Sequence, residues 1–125
     1  MSTTAIFPLG GSPLHQVRPD LAGTVCEGRD VTLVRWNIPA SRAATPMHHH
    51  ADHEQFTIVI SGSVETTIGD EVLTLRPGDM CRIDRSVPHG RTRALDGKDA
   101  VLVDVFSPPR PEYVAAARAH DQGVA

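Results

Sequence analysis

Downstream of residue 54 the chain is cut into short runs at close intervals, and this spacing restricts the fold more than any other feature. Gln55 to Ile60 stops at Ser61-Gly62, Ser63 to Ile68 at Gly69-Asp70, and Val72 to Leu75 at Arg76-Pro77-Gly78-Asp79. Met80 to Ile83 then leads into the loop Ser86-Val87-Pro88-His89-Gly90. Runs rich in β-branched residues between Gly- and Pro-bearing turns predict short strands of an all-β sandwich or barrel. Two further strands are expected, Val31 to Ile38 ending at Pro39 and Ala100 to Phe106 ending at Ser107-Pro108-Pro109. Only Glu112 to His120 has a helical composition, which predicts one short helix packed on the outside. Aromatic residues make up 4% of the chain, so the core must come from Val, Ile, Leu and Ala.

The 125 residues amount to one domain. Residues 1–23, rich in Gly, Pro and Ser, read as an extended arm with room for one short strand, 24–111 as the barrel, and 112–125 as the helix and tail. Twelve Lys and Arg against fifteen Asp and Glu give 12 − 15 = −3, and no basic run gathers that would neutralise a line of phosphates, so nucleic acid is not an expected partner. No apolar run approaches the roughly 18–20 residues of a membrane span, and the N-terminal segment shows neither a positive n-region nor an apolar h-region. The expected compartment is therefore the cytoplasm. There Cys26 and Cys81, which lack C-x-x-C spacing, read as free, buried thiols.

Seven histidines stand out, four of them (His48, His49, His50 and His53) within six positions. In an extended segment alternate side chains share a face, so His48 and His50 point one way and His49 the other. Two imidazoles are thereby offered to one point. A third donor is open between Gln55, on the face of Thr57 and Val59, and Glu54, on the face of Phe56, Ile58 and Ile60. His89, after Pro88 in a turn, stands where a barrel can return a fourth donor. Imidazole suits Zn, Ni, Cu and Fe, and mixed N/O sites also take Mn.

At these residues the chain resembles the cupin superfamily, small jelly-roll barrels with a metal inside. The first cupin motif, H-x-H, then three or four residues, a donor, six residues and a Gly, reads His48-His49-His50-Ala-Asp-His-Glu-Gln55 with Phe56 to Ser61 leading to Gly62. Counting back from Gly62 selects Gln55. The second motif keeps Gly78 and His89, while Asp84, Ser86 and Arg93 stand where it has Pro, Gly and Asn; the departures fall on the turn rather than on the histidine. Three segments together, His53-Glu54-Gln55 with Val59-Ile60-Ser61-Gly62, Ser86-Val-Pro-His-Gly90, and Val103-Asp-Val-Phe-Ser-Pro-Pro-Arg110, resemble the pectin-degradation cupins (KdgF) over about Thr32 to Tyr113. The resemblance implies one divalent metal (Ni, Zn, Mn or Fe) on His48, His50, Gln55 and His89. It also implies conversion of 4,5-unsaturated uronates to 4-deoxy-5-keto sugar acids, with Asp104, Phe106 and Arg110 as catalytic residues and a carboxylated sugar as substrate.

Alternation in the last strand agrees, placing Leu102, Asp104 and Phe106 on one face and Val101, Val103 and Val105 on the other. A buried Asp in an apolar strand is costly unless paired or functional. An ion pair of Asp104 with Arg110 or Arg82 is the structural alternative. Three imidazoles and a carboxamide are all neutral, leaving a bound divalent ion its full charge as a Lewis acid, whereas non-haem iron oxygenases commonly use two His and a carboxylate. Two other functions compete with sugar-acid chemistry: a cupin dioxygenase on a small organic substrate, favoured if Glu54 is the donor, and a non-catalytic module that binds a metal or small ligand. An apolar outer face with Phe56, Ile58 and Ile60, together with edge strands to cover, predicts a homodimer. His49 and His53 are expected to support the site or face solvent, and His15 and His120 to be incidental.

Overall fold

A computed structural model describes Ile6, residues 15–18 and residues 21–121. Nine strands and a helix follow in order: β1 (His15–Arg18), β2 (Leu21–Glu27), β3 (Thr32–Ile38), β4 (Glu54–Ser61), β5 (Val64–Ile68), β6 (Glu71–Leu75), β7 (Met80–Ile83), β8 (His89–Ala94), β9 (Ala100–Ser107) and α1 (Pro111–Asp121). The strands predicted between the Gly and Pro breaks all form, within a residue at each end. Two were not anticipated. β2 contains Gly23, a weak strand former, but a Cβ there would lie 2.7 Å from the Arg35 carbonyl oxygen and 2.9 Å from the Trp36 ring, so only Gly lets β2 lie against β3. β8 begins inside what reads as a Pro-Gly loop. β1 and the first three residues of β2 fall within the segment expected as an arm.

All pairings are antiparallel. Six strands form one sheet in the order β1-β2-β3-β9-β4-β7, and β6-β5-β8 form a second. Two antiparallel sheets are the jelly-roll arrangement expected, and among the described residues pairing does not run continuously from one sheet to the other. Backbone 45–48 runs beside β8, with Thr45 bonded to Arg91 and Thr92 and His48 to His89, but Pro46 between them has no N–H to give. Pairing along that seam is left to an isolated bridge at His48 and His89.

Between the sheets lies a core of Val34, Trp36, Ile38, Val59, Val64, Leu75, Leu102 and Phe106, with Tyr113 of α1 closing one end. Fully burying a side chain such as Phe106 contributes roughly 1.5–3 kcal/mol. The aliphatic residues predicted to build the core do so, joined by Trp36, Phe106 and Tyr113, three of the few aromatics. No helix among the described residues is long and apolar enough to cross a membrane.

Candidate metal centre

The backbone brings the three histidines together. His48 and His89 exchange two 2.8 Å hydrogen bonds, N–H to carbonyl in each direction, and such directly opposed residues project side chains to the same side. Their rings lie 4.3 Å apart between centroids. His50, two residues on and therefore on the same face, lies 5.2 Å from His48 and 4.8 Å from His89. Its carbonyl accepts from the N–H of Ser86 at 2.7 Å, which ties the histidine segment to the loop before β8. Ser86 takes a left-handed φ of 66°, so the turn persists although Ser stands where the motif has Gly. Gly90, beside His89, has φ of 142°. A Cβ there would meet the Pro46 carbonyl oxygen at 2.2 Å, so any other residue would push apart the two segments that carry the histidines.

The ring nitrogens suit a cation. Nδ1 of His89 lies 2.9 Å from the Val87 carbonyl oxygen and Nδ1 of His48 lies 3.2 Å from that of Pro46. A carbonyl only accepts, so each Nδ1 carries the proton and each Nε2 keeps its lone pair. Nε2 of His89 is buried without a hydrogen-bond partner, a costly arrangement for a polar atom that a metal bond would relieve. One donor nitrogen from each of His48, His50 and His89 lies within 4.8 Å of the others. Two nitrogens bound about 2.1 Å from one ion are at most about 4.2 Å apart, so small side-chain adjustments bring the three into range. Burial, with lesser contributions from Arg110 and the neighbouring imidazoles, lowers His50 to about 4. Burial also lowers His89. Both rings are therefore held neutral, the form that binds metal.

Gln55 faces the same cavity and Glu54 does not. Gln55 is buried, with Oε1 3.1 Å from Nε2 of His50. Glu54 lies on the opposite face of β4 and lines a separate surface depression with Asp84, Arg85 and Ser107. The cavity measures about 60 Å³ and its lining includes the three histidines, Gln55, Thr57, Cys81, Asp104 and Phe106, room for a few waters at roughly 10–15 Å³ each. Both cysteines are free, as expected, and half-buried rather than fully buried. Burial raises their thiols, which disfavours the thiolate.

Asp104 sits on β9 opposite Thr57 of β4 and Val34 of β3. Trp36 Nε1 donates to its Oδ2 at 2.8 Å, and Thr57 Oγ1 donates to its Oδ1 at 2.6 Å. The arginines considered as ion partners are engaged elsewhere, Arg110 with Glu112 at 2.6 Å and Arg82 with Asp84 at 3.3 Å. Phe106 stands edge-on to His50 at 5.9 Å and to Tyr113 at 5.7 Å. The Arg110 guanidinium lies over both aromatic rings, 5.0 Å from the centre of Phe106 and 4.1 Å from that of Tyr113. Its Nη1 is 3.4 Å from Nδ1 of His50, and its backbone N–H bonds the Thr32 hydroxyl at 2.8 Å. The structure thus brings all seven candidate residues, His48, His50, Gln55, His89, Asp104, Phe106 and Arg110, to one place. Sequence reasoning missed Trp36, Thr57 and Tyr113. Thr57 alone had a visible signal, its place two residues from Gln55 on the same strand face.

His49 is exposed, and His53 bonds the Pro108 carbonyl at 2.8 Å while its ring lies 6.1 Å from that of His50. The side chains of His15 and His120 lie outside the described residues.

Known proteins resemble this chain in sequence and in fold. The family model described as a cupin domain matches residues 34–106. The pectin degradation protein KdgF of Dickeya dadantii is 32% identical over 85 residues, covering 68% of this chain and 74% of that protein. The structure of KdgF from Halomonas sp. superposes with a TM-score of 0.75 at 26% identity, covering 86% of this chain and 96% of that one. An RmlC-like cupin from Shewanella frigidimarina shares the fold, with a TM-score of 0.72 at 20% identity and coverage of 90% and 99%.

Proposed function

This chain belongs to the cupin domain family, and from that premise we propose that it is a metal-dependent enzyme that opens or tautomerises 4,5-unsaturated uronates to 4-deoxy-5-keto sugar acids without redox change. The observation that carries the proposal is the meeting of Asp104, Phe106 and Arg110 with the three histidines, in a chain similar to a pectin degradation protein. His48, His50, His89 and Gln55 would hold one divalent ion of Ni, Zn, Mn or Fe. When bound, it supplies a Lewis acid for the substrate's hydroxyl or carboxylate oxygens.

The remaining work falls to side chains already in place. Arg110 is held by Glu112 through Nε and braced on two ring faces, so its guanidinium is presented beside the histidines as a partner for the substrate carboxylate. Asp104 moves a proton between the ring hydroxyl and the developing enol; held by two donors, it is already oriented before substrate arrives. Phe106 walls the reacting atoms from water. Oxygen chemistry would draw on a carboxylate donor such as Glu54, and the outward position of that side chain favours the non-redox reading.

The test follows the conjugated enol-ether absorbance of a 4,5-unsaturated uronate. Metal-loaded protein should remove it well above the spontaneous rate, and Asp104→Ala should lose about 10²–10⁴-fold of that acceleration. Loss no faster than the spontaneous rate, or an unimpaired Asp104→Ala, refutes the proposal. Tight sugar-acid binding without turnover would instead establish a binding module.

The same reading pairs two copies through the outer face of the six-stranded sheet. Phe56, Ile60 and Met80 are 43%, 42% and 71% exposed there, beside β7, an edge strand whose outer side would pair across a two-fold axis.

A further inference from the structure

Strands β3, β4 and β9, the last two of which carry candidate residues, share a hydrogen-bond chain with a fixed direction. Trp36 Nε1 can only donate, and it gives its proton to Oδ2 of Asp104 at 2.8 Å. Thr57 has one hydroxyl proton and gives it to Oδ1 of the same carboxylate at 2.6 Å. The Thr57 oxygen is left as an acceptor, so the Gln55 atom 3.0 Å away must be the NH2 group. The Gln55 carbonyl oxygen is then turned the other way, toward Nε2 of His50 at 3.1 Å. Which end of an amide is oxygen is inferred from its neighbours; here Thr57, donating to the Asp104 carboxylate, and His50, facing the other end of the amide, both favour this orientation.

We propose that Thr57 is a positioning residue, whose hydroxyl, oriented by Asp104, holds the Gln55 amide with its oxygen facing the metal position. This rests on the reading of Gln55 as a metal donor. Without the hydroxyl, Gln55 is free to rotate and present NH2, which has no lone pair for a cation, to the histidines. Thr57 thereby links the Gln55 donor of β4 to the proton-transferring carboxylate of β9. The role belongs to the hydroxyl rather than to the size of the side chain. Ser preserves it and Val, of similar shape, removes it.

The experiment titrates the metal-free full chain with Co²⁺ alone, reading the visible absorption of the bound ion. Wild type is compared with Thr57→Val, Thr57→Ser, Gln55→Leu and the double variant Gln55→Leu/Thr57→Val. Loss of an outer-shell partner commonly weakens metal affinity about 10–100-fold, and a loss of that size is expected for Thr57→Val, with Thr57→Ser restoring most of it. Added to Gln55→Leu, the Val change should have no further effect, because its route runs through the amide. Wild-type affinity in Thr57→Val, or an undiminished extra loss in the double variant, overturns the proposal while leaving Gln55 as a donor. Wild-type affinity in Gln55→Leu removes that underlying reading and the proposal with it. If Thr57→Val does not fold, nuclear Overhauser contacts in the Zn²⁺-loaded wild type decide: Gln55 amide protons next to the Thr57 side chain support the proposal, and contacts to the His50 ring instead refute it.

Discussion

Strands β4 and β9 show opposite characters on their two faces. Toward the interior they carry Gln55 and Thr57, and Asp104 between Leu102 and Phe106; toward the outside they carry Phe56, Ile58 and Ile60, and Val101, Val103 and Val105. Half-buried strands ordinarily put apolar residues inside and polar ones outside. Reversal at the centre of the sheet is costly unless each inward polar atom has a partner. Gln55, Thr57 and Asp104 satisfy one another and Trp36. The inner face therefore carries a satisfied polar network, and the outer face is largely apolar.

Disrupting the inner face at its donors should have the largest effect. His50→Ala should lower divalent-metal affinity by more than the roughly 10–100-fold that follows loss of an outer-shell partner, measured by titrating the metal-free protein. Next in size, Trp36→Phe leaves Oδ2 of Asp104 without its indole donor. A melting curve should show a loss of about 1–3 kcal/mol, and an unchanged curve would mean that the indole bond contributes nothing.

Acid tests the same face more gently. Unfolded, the imidazoles of His50 and His89 take up protons near pH 6.5; folded, both are lowered, His50 to about 4 and each chiefly by burial. The unfolded chain thus binds more protons between these values. Stability of the metal-free protein should be full above about pH 6.5 and fall as the pH drops toward 4. Denaturant midpoints across that range would show it, and a midpoint that rises on acidification contradicts it. The outer face should give the smallest change in fold stability. Phe56→Ser is expected to shift it by no more than about 1 kcal/mol, while sedimentation shows a move from dimer to monomer; a wild type that sediments as a monomer removes that part of the comparison.

Legibility in the sequence followed the range of the interactions. β4, β7 and β9 were visible because their alternation and their Gly and Pro boundaries are local; alternation grouped Asp104 with Leu102 and Phe106 but left Gln55 and Glu54 as alternatives, and the family resemblance chose Gln55. β2 and β8 were not visible. Gly23 and Gly90 weaken the strand signal, and each is there because another stretch of backbone passes too close for a Cβ. The gap at Pro46 was not legible, because Pro46 interrupts pairing with β8, which begins 43 residues downstream at His89. The histidine cluster was visible as spacing plus a family resemblance. The partners of Asp104 were not, because Trp36 is 68 residues away and Thr57 is 47, and no local pattern records which side chains meet across three neighbouring strands.

The central claim is that the inward polar face is a metal-dependent site for unsaturated sugar acids. It is tested most directly by stripping the protein with a chelator, returning Ni²⁺, Zn²⁺, Mn²⁺ or Fe²⁺ singly, and following the enol-ether absorbance of a 4,5-unsaturated uronate. Stripped protein should be no faster than the spontaneous reaction, and at least one ion should restore turnover at one equivalent per chain. Full turnover in stripped protein, or none with any of the four ions, would contradict the account.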